Sequence, residues 1–162
     1  MSMLYEFFQN NLEIVFFVYG FAFMVMGIAI LIRPREASEF KISNILWLLG
    51  FFGVCHGINE LVDMWAIIKG RNHALDLIRW FILVGSYVFL FEFGRQLVRQ
   101  TRSKGLYRLL AWWLTPLIGT FILASGFMSH DFWKVGSIWT RYLMGLPGGL
   151  LVGFGFYNVL SK

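Results

Sequence analysis

Charge is scarce in this chain. Asp, Glu, Lys and Arg make up 14% of 162 residues, against about 25% in a typical soluble domain. The usual arrangement of a charged surface around a buried core is therefore excluded. A 58% hydrophobic and 19% aromatic composition with mean hydropathy +0.66 instead predicts an integral membrane protein. A single cysteine, Cys55, excludes an internal disulfide and any CxxC metal or redox motif. Set beside Gly53 and Gly57, it reads as a small packing residue. No catalytic Ser-His-Asp arrangement, nucleotide loop, or flavin or dinucleotide fingerprint occurs. The net charge of +5 comes from basic residues that flank apolar runs, which is a mark of topology, so no nucleic-acid partner is expected.

What the chain does have is length in its apolar runs. Five reach the ~20 residues that a hydrocarbon core requires, at about 12–32, 44–68, 74–93, 109–128 and 135–160. Arg33-Pro34-Arg35 closes the first, since proline and charge together end a helix. Met1 to Asn11 lacks the basic start of a cleavable signal, so the first helix is expected to remain as an anchor. Trp112 and Trp113 open the fourth, where an interfacial aromatic belt belongs. After the third comes the most basic segment, with Arg95 and Arg99 on a helical extension and then Arg102, Lys104 and Arg108. Nine basic residues, Arg33, Arg35, Lys41, those five and Lys162, fall on one side of such a bundle, and three, Lys69, Arg71 and Lys134, on the other. The positive-inside rule then puts the N-terminus outside and the C-terminus in the cytoplasm. The fold class expected is an all-α bundle of five transmembrane helices forming one domain.

The second run carries charges that lipid would not accept. With His56 as origin and 100° per residue, Glu60 lies near +40°, Asp63 near −20° and Asn59 near −60°, so the four share one helix stripe. An ionised side chain at the bilayer centre costs about 2.5–3.5 kcal/mol on insertion scales, so the stripe must face the bundle interior and find partners. The third and fifth runs each bring one arginine to the same depth, Arg79 and Arg141. Guanidinium forks can clasp carboxylates in pairs, which makes a structural ion-pair network between the helices one reading. The other is an outer-leaflet polar pocket lined by His56, Asn59, Glu60, Asp63, Arg79, Arg141 and Tyr142, with Glu13 near its mouth. His56 and Glu60 at i and i+4 can converge on one metal ion with Asp63 as a further oxygen donor, though the two arginines would oppose a cation, and an organic or anionic small ligand is the alternative. A proton shared between His56 and a carboxylate is a third option. Glu92, near the far end of the third run, is expected to pair with Arg95, Gln96 or Arg99.

Three stretches, Phe17-Val18-Tyr19-Gly20-Phe21-Ala22-Phe23-Met24-Val25-Met26-Gly27, His56-Gly57-Ile58-Asn59-Glu60-Leu61-Val62-Asp63-Met64, and Arg141-Tyr142-Leu143-Met144-Gly145-Leu146-Pro147-Gly148-Gly149-Leu150-Leu151, occur in this order. Together they resemble the N-terminal multi-helix membrane module of certain bacterial sensor histidine kinases and diguanylate cyclases. The resemblance implies a sensory role in the bacterial inner membrane, with a cytoplasmic kinase or cyclase output domain as partner. The chain itself carries no kinase, cyclase or coiled-coil segment, so no enzyme activity is expected of it. Signal relay is then expected through Gly145, Pro147 and Gly149, where proline removes a backbone hydrogen bond and glycine permits movement. Gly145, Gly149 and Gly153 have GxxxG spacing, which fits a homodimer or intramolecular packing. The rival classes are a small ion or proton transporter or channel subunit, and a membrane hydrolase. The first would need polar residues continuing through Ile45 to Phe52, which is apolar, and the second more metal ligands or carboxylates than the spans supply.

Overall fold

The computed structural model describes residues 3–33, 41–101 and 113–160, and among them every regular element is helical. A short helix, α1 (Met3–Asn10), leads into α2 (Leu12–Leu31), which has no charged residue after Glu13. A 3₁₀ turn at Lys41–Asn44 precedes α3 (Leu46–Lys69). Among the described residues, three helices are long and apolar enough to cross a membrane: Leu12–Leu31, Leu46–Lys69 and the His73–Gln100 part of α4 (His73–Thr101). The described part of the fourth expected span is shorter, α5 (Leu114–Phe127), and its first expected residues lie outside the described ones. The same holds for Arg35, the connector bearing Arg102, Lys104 and Arg108, and Lys162.

Glycine sets how α2 and α3 meet. Gly20 and Gly27 on α2 are buried against Gly50, Gly53 and Gly57 on α3. A Cβ on Gly27 would lie 2.6 Å from Gly50 O and from Val54 N, and one on Gly57 would lie 2.6 Å from Gly20 O. Backbone thus meets backbone, the close packing that small residues allow between apolar helices. Valine at Gly27 cannot be absorbed by a side-chain shift, because the obstacles are main-chain atoms. We expect Gly27→Val to cost about 1–3 kcal/mol or more through overpacking, read as reversible unfolding in detergent. Gly149→Ala, whose added methyl would have nothing within 4 Å, is the matched control and should melt with the wild type.

Turn chemistry places α4 beside α3. Gly70 ends α3 at φ 87°, a conformation that glycine adopts without strain. Asn72 then caps α4, its Oδ1 accepting from the Leu75 N–H at 2.8 Å. Helix α6 (Phe132–Thr140) begins at Asp131, whose carboxylate accepts from the Lys134 N–H at 3.1 Å, and so starts three residues before the expected last span. A π turn, Arg141–Gly145, joins α6 to α7 (Leu146–Leu160), and the backbone stays helical across both junctions. Helix α4 packs on α3, and on α6, the π turn and α7; α5 packs on α6.

Two apolar clusters divide the bundle. Ile45, Leu48, Phe93 and Leu97 fill one end together with Val152 and Phe156. Trp80, Ile122 and Met144 join Phe132 and Trp133 toward the other end, where the turns at Gly70 and Asp131 lie. The outward faces carry Phe21, Val25, Ile28, Phe81, Leu117, Phe121 and Leu150, all exposed. So much apolar surface on a monomer calls for a non-aqueous or protein neighbour.

Candidate functional site

The polar stripe of α3 turns inward as its spacing predicts. His56, Asn59, Glu60 and Asp63 are 5, 2, 6 and 7% exposed. Burial of four such groups is tolerable only if each finds partners.

Asp63 finds Arg79 on α4. That guanidinium forms an ion pair with Asp63 and, through Nη1, a 3.0 Å hydrogen bond with Asp76 one turn back on α4. The Asn59 amide donates to Asp63 Oδ2 at 3.3 Å and holds the carboxylate toward α4. The expected link between the second and third spans therefore forms, and it occupies Asp63. Because Asp63 is taken, the expected metal triad His56, Glu60 and Asp63 does not assemble. No group of three or more His, Cys, Asp or Glu side chains among the described residues could hold a metal ion.

His56 sits in an aromatic surround. Its ring stacks on Phe52 at 5.2 Å between centroids and meets Phe23, Tyr87 and Tyr19 edge-on at 4.8, 5.3 and 6.2 Å. Nδ1 lies 3.4 Å from Ser86 Oγ, and the Ser86 hydroxyl itself donates to Leu83 O at 2.8 Å. With its only proton committed to Leu83, Ser86 can only accept from His56, which assigns the Nδ1–H tautomer to the neutral ring. Nε2 then presents a lone pair to Glu60 Oε1, 3.6 Å away. Two acceptors then face each other, an arrangement completed by a shared proton or by a donor from outside.

Arg141 departs from expectation in its partners. It opens the π turn, is exposed, and makes no ion pair among the described residues, where the sequence predicts a carboxylate partner such as Glu60. It borders two neighbouring cavities. The first, about 310 Å³, opens toward the turn residues Arg71, Asp131 and Lys134 and also includes Asp63, Arg79 and Trp80. The second, about 460 Å³, reaches from Phe16 and Tyr19 on α2 across His56 and Glu60 to Tyr87 and Arg141. Tyr142, expected in the pocket, is 63% exposed and lines neither cavity, because one residue along a helix turns about 100° from Arg141. Glu13 lines neither as well.

The segment expected to relay a signal differs in detail from that expectation. Pro147 is expected to bend the helix itself, but the irregularity precedes it, where the Leu146 N–H bonds Arg141 O across five residues. Proline lacks the N–H that Leu143 O would accept, and the wider turn accommodates that loss. Gly145 and Gly148 pack against Tyr87 and Phe91 of α4, while a Cβ on Gly149 or Gly153 would meet nothing within 4 Å. The GxxxG row is thus split: Gly145 is used within the chain, and Gly149 and Gly153 face outward.

Glu92 pairs as anticipated, accepting from Arg95 at 2.7 and 2.6 Å and from Gln96 at 2.7 Å. Sequence reasoning missed Tyr19, Ser86 and Tyr87. Tyr87 and Ser86 lie about two turns beyond Arg79 on α4, a spacing that would have placed them on its charged face. Compared with known protein families, curated proteins and solved structures, the chain matches none.

Proposed function

We propose that this chain is a five-helix membrane sensory module that responds to an occupant of the polar cavity and passes the response along α6 and α7 to a cytoplasmic kinase or cyclase output domain. In this reading the fourth span contains α5, and the fifth is α6, the π turn and α7 together. In the same reading the N-terminus is outside the bacterial inner membrane and the C-terminus in the cytoplasm, which the basic-residue bias supports. Gly149 and Gly153 offer a contact face for a homodimer.

The observation that carries the reading is the position of Arg141. This guanidinium, without an ion pair among the described residues, borders both cavities and stands on the first residue of a π turn, so whatever binds the charge acts on the least regular point of the last helix. Shifts of about 1–2 Å along such a helix are the ordinary scale of switching. No catalytic role is assigned to the chain. Against the transporter reading, the Ile45, Leu48, Phe93 and Leu97 cluster packs apolar side chains in the half of the bundle beyond His56.

The test is a fusion at Lys162 to a histidine kinase or diguanylate cyclase output domain. Arg141→Ala and Glu60→Ala are each expected to change basal output at least threefold while the protein still inserts and folds. Output unchanged in both folded variants would remove the sensory reading.

A further inference from the structure

We infer that the larger cavity binds a small zwitterion, a molecule bearing an ammonium group a few bonds from a carboxylate or phosphate. Each wall of that cavity leaves something unsatisfied. On one wall Arg141 offers several N–H donors and a full positive charge with no ion-pair partner among the described residues. On the other, His56 Nε2 and Glu60 Oε1, 3.6 Å apart, are both acceptors when the ring is neutral and the acid ionised. Donor wall and acceptor wall border the same space of about 460 Å³, within the ~300–1,000 Å³ common for small-ligand sites.

Charge balance separates a zwitterion from simpler ions. A plain anion would pair with Arg141 but add a second negative charge beside Glu60 and bring no N–H donor to His56 Nε2 and Glu60 Oε1. A plain cation would pair with Glu60 and sit against Arg71, Arg79 and Arg141, which line the same cavity. A zwitterion leaves neither Arg141 nor Glu60 unpaired, which matters where water is scarce. Its ammonium would bridge His56 Nε2 and Glu60, and its oxyanion would take the guanidinium fork of Arg141. The remaining walls include Phe16, Tyr19, Ile67 and Tyr87, aromatic or aliphatic, so the zwitterion should also carry an apolar part.

Two sources share this chemistry: a free α-amino acid with an apolar side chain, and the headgroup of an ethanolamine phospholipid. Such an occupant would be the stimulus of the sensory reading and rests on it, but binding is measured on the purified chain without an output domain. Failure of binding and failure of signalling are therefore distinct results.

The protein in phosphatidylcholine nanodiscs is titrated with the common free amino acids one at a time and followed by calorimetry. In parallel, nanodiscs doped with phosphatidylethanolamine are examined by native mass spectrometry for retained lipid. Saturable binding of an apolar amino acid, at least tenfold weaker for its amide or its deaminated analogue, identifies the free zwitterion. Stoichiometric retention of ethanolamine lipid in preference to choline lipid identifies the headgroup, because a quaternary ammonium has no N–H for His56 Nε2. In either case Arg141→Gln and Glu60→Gln should each weaken binding at least tenfold. Arg141 is exposed and makes no ion pair among the described residues, so its variant is expected to fold even if the Glu60 variant does not. The inference is overturned if neither source binds, if an analogue lacking one charge binds as well as the zwitterion, or if folded Arg141→Gln keeps full affinity.

Discussion

Asp63→Ala should cost about 3–5 kcal/mol of stability, the range for breaking a buried ion pair by removing one partner. Its side chain is 8% exposed and that of Arg79 19%, so loss of the carboxylate strands a largely enclosed guanidinium between α3 and α4. Asp76 still holds one arm of Arg79, which places the expected cost toward the lower end of that range. Reversible unfolding in detergent micelles measures it. The double variant Asp63→Leu/Arg79→Leu is expected to recover at least half of the loss, because two apolar side chains leave no charge behind. If Asp63→Ala unfolds with the wild type, the pair is not what joins these helices.

On the sensory reading, deleting Leu143 together with Pro147→Ala should separate folding from response. A π turn holds one residue more than the α-helical turn it replaces, so removing one residue restores regular α-helix and keeps both flanks in register. Gly148 would remain against Phe91 and Gly155 against Leu97. With Pro147→Ala supplying the N–H that the regular helix then needs, the melting temperature is expected to stay near that of the wild type, while the ratio of stimulated to basal output in the fused protein falls to one. Inserting an alanine after Leu150 makes the opposite change. It rotates the rest of α7 by about 100°, withdraws Gly155 from Leu97, and should destabilise the bundle while the π turn stays intact. A Leu143 deletion that responds normally would remove the π turn from the relay.

Much of this arrangement was legible because charge inside an apolar run has few places to go. The stripe His56, Asn59, Glu60 and Asp63 is buried on one face as helical periodicity requires, and Arg79 meets Asp63 because antiparallel helices bring equal depths together. Local pairs such as Glu92 with Arg95 follow from i, i+3 spacing alone. Depth, however, does not say which carboxylate takes which arginine. Asp76 lies one turn before Arg79 and helps fix it toward Asp63, which leaves Glu60 to His56 and Arg141 to the open cavity. Tyr142 shares the depth of the pocket but not its angle, and depth alone misplaces it. The π turn was illegible for another reason: Pro147 announces a disturbance but not whether the chain kinks or widens, and packing of Gly145 on Tyr87 takes part in that outcome. The seam between α2 and α3 is written in the sequence as Gly20, Gly27, Gly50, Gly53 and Gly57, but without a partner helix in view those glycines carry no pairing information.

That seam also bears on how the protein is made. On the membrane reading, α2 and α3 are synthesised before α4, so for a time Glu60 and Asp63 exist without Arg79. The glycine contacts need nothing from later in the chain. They press α2 against α3 so closely that a Cβ on Gly20 would lie 2.9 Å from Gly57 O and 3.1 Å from the Cβ of Glu60. A two-helix hairpin can therefore leave the insertion machinery as a unit, with one flank of its costly stripe already shielded while the arginine that completes it is still being translated. Seam variants should then show their first defect as degradation of newly made chains, ahead of any loss in the mature protein.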